Sequence, residues 1–177
     1  MISALLIANR GEIACRIIRT CRRLGIRTIA VFSAADARAL HVRMADEAVH
    51  IGPAPAHASY LNVDALLAAA RRAQADAIHP GYGFLAENAG FAQACADAGL
   101  LFVGPTPEAM AALGDKRAAR QLAVRAGVPV LPGYDGADQS DAALRDAAER
   151  IGWPLMVKAA AGGGGVGMRL VERAADF

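Results

Sequence analysis

The chain has 177 residues, 55% hydrophobic and 20% charged, with a formal net charge of +2. These values bound a globular chain of one domain, or one and part of another, able to bury a sizeable core. The near-neutral balance, with no basic run interleaved with aromatics, gives no argument for nucleic acid, and no stretch approaches membrane-spanning length. Cys15, Cys21 and Cys95 form no C-x-x-C pair and leave an odd one out. Buried reduced thiols and a cytoplasmic location are therefore expected. Residues 1–8 are apolar but too short for a signal segment with its flanks, so the fold is expected to start at the first residue.

Ala4-Leu5-Leu6-Ile7-Ala8 is a continuous apolar run of strand length. Ile13, Ile17, Cys21 and Leu24 then recur at helical spacing, and Gly25 ends that helix. Residues 28–32 form the next buried strand, so the first unit is a right-handed parallel crossover. The alternation continues: strand 48–51, helix 61–73, strand 75–78, helix 88–98, strand 100–103. Alternating elements with near-continuous apolar strands predict an α/β fold with a doubly wound parallel sheet. Ligands of such sheets sit beyond the carboxyl ends of the strands.

Two loops occupy such ends. Asn9-Arg10-Gly11-Glu12 stands where a dinucleotide fingerprint would stand but lacks G-x-G-x-x-G, which argues against a nicotinamide or flavin. Its ordinary reading is a helix start with an exposed ion pair. Residues 79–88, running from His79 through Pro80, Gly81, Tyr82 and Gly83 to Glu87 and Asn88, gather polar groups on a tight backbone. A turn with a satisfied histidine is the alternative, and the position at a strand's end favours a site.

After Gly104-Pro105 the pattern changes. Thr106-Pro107-Glu108 is a helix start. Asp115 opens a further helix to Ala126, which places Lys116 in a first turn, against the helix dipole. A nearby ligand anion would account for that cation. Residues 129–136 form a Pro- and Gly-rich linker, and residues 138–151 a helix. Then strand 154–157 ends at Lys158, glycines Gly162, Gly163, Gly164 and Gly165 follow, and a second strand covers 168–171. Without Cβ atoms, consecutive glycine amides can turn toward an anion. This is not the P-loop motif, in which Lys and Ser or Thr follow the glycines. A strand–glycine–strand unit with a lysine at its base suits a flap over a polyphosphate, with a plain flexible hairpin as the alternative. Of 19 basic residues only Lys116 and Lys158 are lysine. Both positions keep the compact ammonium that can enter a narrow site as a point charge, with chance survival of two surface lysines as the alternative. A hairpin and one helix cannot close a core by themselves, so the second domain reads as cut off.

Six motifs in order, Ala8 to Ala14, Ala45 to Ala48, Ser59-Tyr60-Leu61, His79 to Asn88, Gly114-Asp115-Lys116 and Lys158 to Met168, resemble biotin carboxylase, the ATP-grasp component of biotin-dependent carboxylases. An α subunit of an acyl-CoA carboxylase is one kind of parent for such a segment. The resemblance implies a Rossmann-like amino-terminal domain over 1–104, a helical link over 105–130, and a truncated ATP-grasp lid domain over 131–177. It implies that Lys116 and Lys158 contact ATP phosphates, that Gly162 to Gly165 form the lid, and that Met168 approaches the adenine. Tyr82 and Gly83 would face biotin and bicarbonate, and Arg16 and Arg19 would lie near a homodimer contact or on a solvated helix face. By the same analogy, ATP phosphorylates bicarbonate, and the carboxyl group passes to biotin on a carrier domain that also serves a carboxyltransferase subunit. Catalytic residues and magnesium ligands are expected beyond residue 177, so this chain alone is expected to be inactive. No metal ligand is assigned within it, and no nucleic acid or membrane is expected as a partner. Val166 departs from the Lys or Arg usual in the lid, and Ala86 from a common Ser. The rivals are a non-catalytic folding, dimerisation or weak nucleotide-binding module, and a different ATP-grasp ligase, against which residues 79–88 argue.

Overall fold

The computed structural model describes residues 2–159 and 167–177. It divides into two compact units, Met1–Met110 and Ala111–Phe177.

In the first unit, strand β1 (Ala4–Ile7) is buried along its whole length at the centre of a five-stranded sheet. Its flanking strands are β2 (Arg27–Ser33) and β4 (Ala77–His79), both parallel to it. Strands β3 (Glu47–Gly52) and β5 (Leu101–Phe102) form the edges, giving the order β3-β2-β1-β4-β5. Successive side chains of a strand point to opposite faces, which explains the unbroken apolar run of β1. Leu5 and Ile7 pack with Ala14, Ile17, Ile18 and Cys21 of helix α1 (Gly11–Leu24). On the other face, Ala4, Leu6 and Ala8 join Leu66 and Ala70 of one helix and Phe91 and Cys95 of another. A short helix, α2 (Leu40–Met44), lies between β2 and β3 in the chain. The helices on the second face are α3 (Val63–Arg72) and α4 (Ala89–Asp97). The doubly wound sheet expected from the alternation is thus present.

Helix ends follow local chemistry. Gly25 takes φ 70° after α1, and the N–H of Ile26 reaches back to the Cys21 carbonyl at 2.9 Å. This is the glycine-dependent stop that satisfies orphan carbonyls. Asn62 and Asn88 cap α3 and α4, accepting from Ala65 and Phe91 N–H at 3.0 and 2.9 Å. The expected helix over 61–73 therefore starts at Val63, because Asn62 serves as its cap. The last strand is shorter than the apolar run 100–103, and Leu101 on this edge is half-exposed.

Helix α5 (Pro107–Gly114) leads into the second unit. That unit contains α6 (Lys116–Arg125), α7 (Asp141–Ile151) and an antiparallel pair, β6 (Leu155–Lys158) and β7 (Met168–Val171). Asp115 caps α6 by accepting from Ala118 N–H at 2.8 Å. Ser140 caps α7, so this helix starts at Asp141, three residues after the expected Asp138. Asp138 instead accepts from the Ser140 N–H at 2.9 Å. Side chains of α6 hold the linker, with Arg120 donating to the Leu131 carbonyl at 2.6 Å and Arg117 to the Asp135 carbonyl at 3.3 Å.

All three cysteines are free and buried. Burial pushes the Cys95 thiol up to about 11 and also raises Cys21, so both stay protonated and unreactive. Among the described residues no helix is long and apolar enough to cross a membrane.

Candidate functional site

Two clusters carry the residues singled out in the sequence, one in each unit. The first lies at the carboxyl ends of β1 and β4. These strands are neighbours, although two others, β2 and β3, stand between them in chain order, so this is the point where the strand order reverses. Asn9 leaves β1 and is only 4% exposed. Its amide nitrogen donates to the Pro80 carbonyl at 2.7 Å and the Tyr82 carbonyl at 2.8 Å, while its oxygen accepts from the Arg10 N–H at 2.9 Å. Two carbonyl partners fix which end of the amide faces the loop. Gly81 takes φ +66°, and a Cβ there would lie 2.8 Å from the Asn9 nitrogen. The Gly81 N–H donates to His79 Nδ1 at 3.0 Å. Burial lowers the pKa of His79, which suits a neutral ring accepting that bond.

The loop's tip meets the start of α1. The Tyr82 hydroxyl donates to Glu12 in the first turn of α1. That bond, then the Glu12 charge, raises the Tyr82 pKa, so the phenol remains a donor at neutral pH. Asn9, Arg10, Glu12, Asp36, Tyr82 and Gly83 are among the residues lining an open cleft of about 380 Å³. Tyr82 is 61% exposed at its edge. The expected exposed ion pair at the start of α1 is different in detail. Arg10 pairs with Asp36 at 3.3 Å, and Glu12 takes the tyrosine.

A partly buried polar network, only some of whose members the sequence singled out, lies behind this cleft. Asp36 accepts from the Tyr60 hydroxyl at 2.7 Å and from Ser33 Oγ at 3.0 Å. Burial alone would raise the Asp36 carboxyl, but these bonds and Arg10 outweigh it and hold the pKa below the ordinary value. Burial, reinforced by the bond to Asp36, pushes the Tyr60 phenol up to about 12. Tyr60 stacks on Phe84 at 5.1 Å, and the Arg10 guanidinium sits 5.7 Å and 6.0 Å from the two ring centres. The arrangement gives the guanidinium both a carboxylate and aromatic faces. His41 of α2 is fully buried, with Nδ1 accepting from the Gly11 N–H at 3.4 Å and Nε2 facing the Val31 carbonyl at 3.3 Å. Tyr60 was marked by its motif, but nothing in the local pattern marks Asp36 or His41.

The second cluster is at the mouth of the β6–β7 hairpin. Lys158 and Met168 are direct cross-strand partners, and the Ala159 N–H continues the ladder to the Gly167 carbonyl at 3.1 Å. Lys116, the first residue of α6, donates from Nζ to the Ala159 carbonyl at 3.2 Å. Lys116, Lys158 and Met168 are all exposed. Gly162, Gly163, Gly164, Gly165 and Val166 lie outside the described residues. The Lys116 ammonium at the hairpin mouth, together with Lys158 on the strand that leads into it, can offset the charge of a polyphosphate. Among the described residues no group of three or more His, Cys, Asp or Glu side chains could hold a metal ion.

Comparison with known proteins adds a second line. Residues 1–110 match the family model "Biotin carboxylase, N-terminal domain", and residues 115–177 match "Carbamoyl-phosphate synthase L chain, ATP binding domain". The mitochondrial methylcrotonoyl-CoA carboxylase subunit alpha of Oryza sativa subsp. japonica is 56% identical over 176 residues, covering 99% of this chain and 24% of that protein. The biotin carboxylase of Campylobacter jejuni, solved as a β-γ-ATP complex, superimposes with a TM-score of 0.94 at 51% identity, covering 99% of this chain and 40% of that one. The biotin carboxylase domain dimer of Hydrogenobacter thermophilus 2-oxoglutarate carboxylase was solved with MgADP, ADP and bicarbonate. It gives a TM-score of 0.91 at 45% identity, covering 99% of this chain and 39% of that one. The chain thus spans well under half the length of these relatives.

Proposed function

The chain belongs to the biotin carboxylase family, and on that premise we propose that it serves an enzyme that uses ATP and bicarbonate to carboxylate biotin on a carrier domain. In this reading residues 1–104 are the Rossmann-like domain, 105–130 a helical link, and 131–177 part of the lid domain. Lys116 and Lys158 bind phosphate oxygens of ATP, Gly162, Gly163, Gly164 and Gly165 are the lid residues, and Met168 meets the adenine side. Tyr82 and Gly83 face biotin and bicarbonate. The partners are a carrier domain, a carboxyltransferase subunit and a second copy of the chain, with exposed Arg16 and Arg19 near that contact. Three buried free thiols favour a reducing compartment such as the cytoplasm.

The observation that carries the ATP assignment is the approach of Lys116 Nζ to the carbonyl that follows Lys158. Phosphoryl transfer asks the protein mainly for positioning and for charge placed where negative charge develops. An ammonium group held at the hairpin mouth by Lys116, with Lys158 on the adjoining strand, answers that need. Among the described residues no group of three or more His, Cys, Asp or Glu side chains could hold a magnesium ion.

The test is biotin- and bicarbonate-dependent ATP cleavage by a complete carboxylase carrying this segment. Lys158→Ala is expected to lower kcat/KM by roughly 10²–10³, the scale for losing one preorganised charge-stabilising group. Unchanged kinetics in both Lys116→Ala and Lys158→Ala would remove the assignment. A second reading, favoured by the uncharged Val166, is that the 177 residues by themselves bind nucleotide weakly without turnover. Calorimetry with ATP and magnesium measures that binding, and sustained turnover by the isolated chain would overturn it.

A further inference from the structure

We propose that Asn9 is a positioning residue that sets the conformation of the 80–83 loop and thereby the presentation of Tyr82 and Gly83; this rests on the reading of that loop as substrate-facing. The β1–β4 ladder already holds the two strands together, and its last bond runs from the Ala8 N–H to the His79 carbonyl at 2.9 Å. Asn9 reaches past that ladder. Both of its donated bonds go to carbonyls of the loop, at residues 80 and 82, at 2.7 and 2.8 Å. Its oxygen is occupied by the Arg10 N–H, so the side chain cannot turn away without losing a third bond. The residue is buried, so water does not replace a lost partner cheaply.

Gly81 supplies the other half of the lock. Its positive φ lets the loop turn, and the missing Cβ leaves room for the Asn9 amide. The loop is then held by its backbone at Asn9 and by its tip at Glu12, both on the β1 side of the switch point. Removing Asn9 leaves the sheet paired and frees only the loop. An aspartate has the same shape but would aim a carboxylate oxygen at two carbonyls.

The test uses a complete carboxylase carrying this segment, with Asn9→Ala, Asn9→Asp, Gly81→Ala and Tyr82→Ala. Biotin and ATP are varied separately, and melting is followed in parallel. Asn9→Asp and Gly81→Ala are expected to lower kcat/KM for biotin by on the order of ten- to a hundredfold, the scale of a small misplacement near reacting groups. The KM for ATP should stay unchanged, and hydrogen exchange at the amides of residues 81–86 should quicken. Gly81→Ala keeps Asn9 intact, so the proposal remains testable should Asn9→Ala not fold. Wild-type biotin kinetics in Asn9→Asp and Gly81→Ala, with Tyr82→Ala impaired, would overturn the positioning role and leave the loop reading standing. Wild-type kinetics in Tyr82→Ala as well would remove the loop reading and this inference with it. Equal losses for biotin and ATP, tracking the loss of folded protein, would reduce Asn9 to a structural residue.

Discussion

Lys116 Nζ lies 3.2 Å from the carbonyl oxygen of Ala159, joining the first residue of α6 to the end of the strand that carries Lys158. A cation at a helix start meets unfavourable dipole ends, at a cost of roughly 0.3–1 kcal/mol at exposed sites. A residue kept there against that cost, and held at a hairpin mouth, is placed for something other than helix stability. The expectation for Lys116→Ala is therefore asymmetric. Thermal stability should stay within about 1 kcal/mol of the parent, while nucleotide affinity falls. Lys116→Arg should not restore it, because a planar fork does not replace a compact ammonium. Melting and calorimetric titration with MgADP on the same samples check both halves, and a parallel loss of stability and affinity would contradict the expectation.

Val166 stands in the glycine run, where the family resemblance leads one to expect a cation. Val166→Arg should tighten ATP or ADP binding by about tenfold, the effect of one added charge-assisted bond to phosphate worth roughly 1.4 kcal/mol. The gain should shrink as salt is raised, since exposed charge pairs are screened. Titrations at low and high ionic strength read both effects. A gain independent of salt would point to loop rigidity in place of charge.

Tyr60→Phe isolates the network behind the cleft. The hydroxyl donates to Asp36 at 2.7 Å and accepts from the Ser33 N–H at 3.1 Å, in a residue 2% exposed. Its removal leaves a buried N–H and one carboxylate bond unmet, a cost of about 1–3 kcal/mol. Denaturant unfolding of the chain should show that loss, with a smaller one for Asp36→Asn, which keeps an acceptor. The Asp36 carboxyl is held below its ordinary pKa, so its contribution is present above that ordinary value and drains as pH falls through the lowered one. The Tyr60→Phe defect should accordingly be smaller in strong acid than at neutral pH.

The parts of the molecule legible from sequence are those governed by local chemistry. Gly25, Asn88 and Asp115 mark helix ends because a turn or cap is a matter of a few adjacent atoms. The apolar strands were recognisable, but the division of β1 into Leu5 and Ile7 on one face and Leu6 on the other emerges only with the helices in place. Residues 33–47 carried no period, and α2 there is five residues long, too short to leave one. Asp36 and His41 gain their roles from Tyr60 and Gly11, distant in the chain, so no window of sequence holds the signal. In the second unit the two lysines were visible as the chain's departure from arginine. The bond from one to the carbonyl beside the other exists only in the folded chain, across 43 positions of sequence.

His41 and His79 together predict an acid sensitivity of the first unit. Both pKa values are lowered, chiefly by burial, so the folded rings stay neutral where unfolded histidines would take a proton. Below the ordinary histidine pKa of about 6.5 the unfolded chain binds more protons than the folded one, and stability falls with pH. The loss continues until the lowered folded values are passed. For His41, the Val31 carbonyl and the Asp36 charge work against burial, while Arg10 reinforces it. His41→Gln keeps a donor and an acceptor without a titrating proton. It should flatten the stability profile between about pH 6.5 and the acid side, at some cost in packing that does not depend on pH. Urea unfolding of the 177-residue chain and this variant across that range gives the comparison. Parallel slopes would mean that His41 does not carry the linkage, leaving His79→Gln as the variant that must then flatten it.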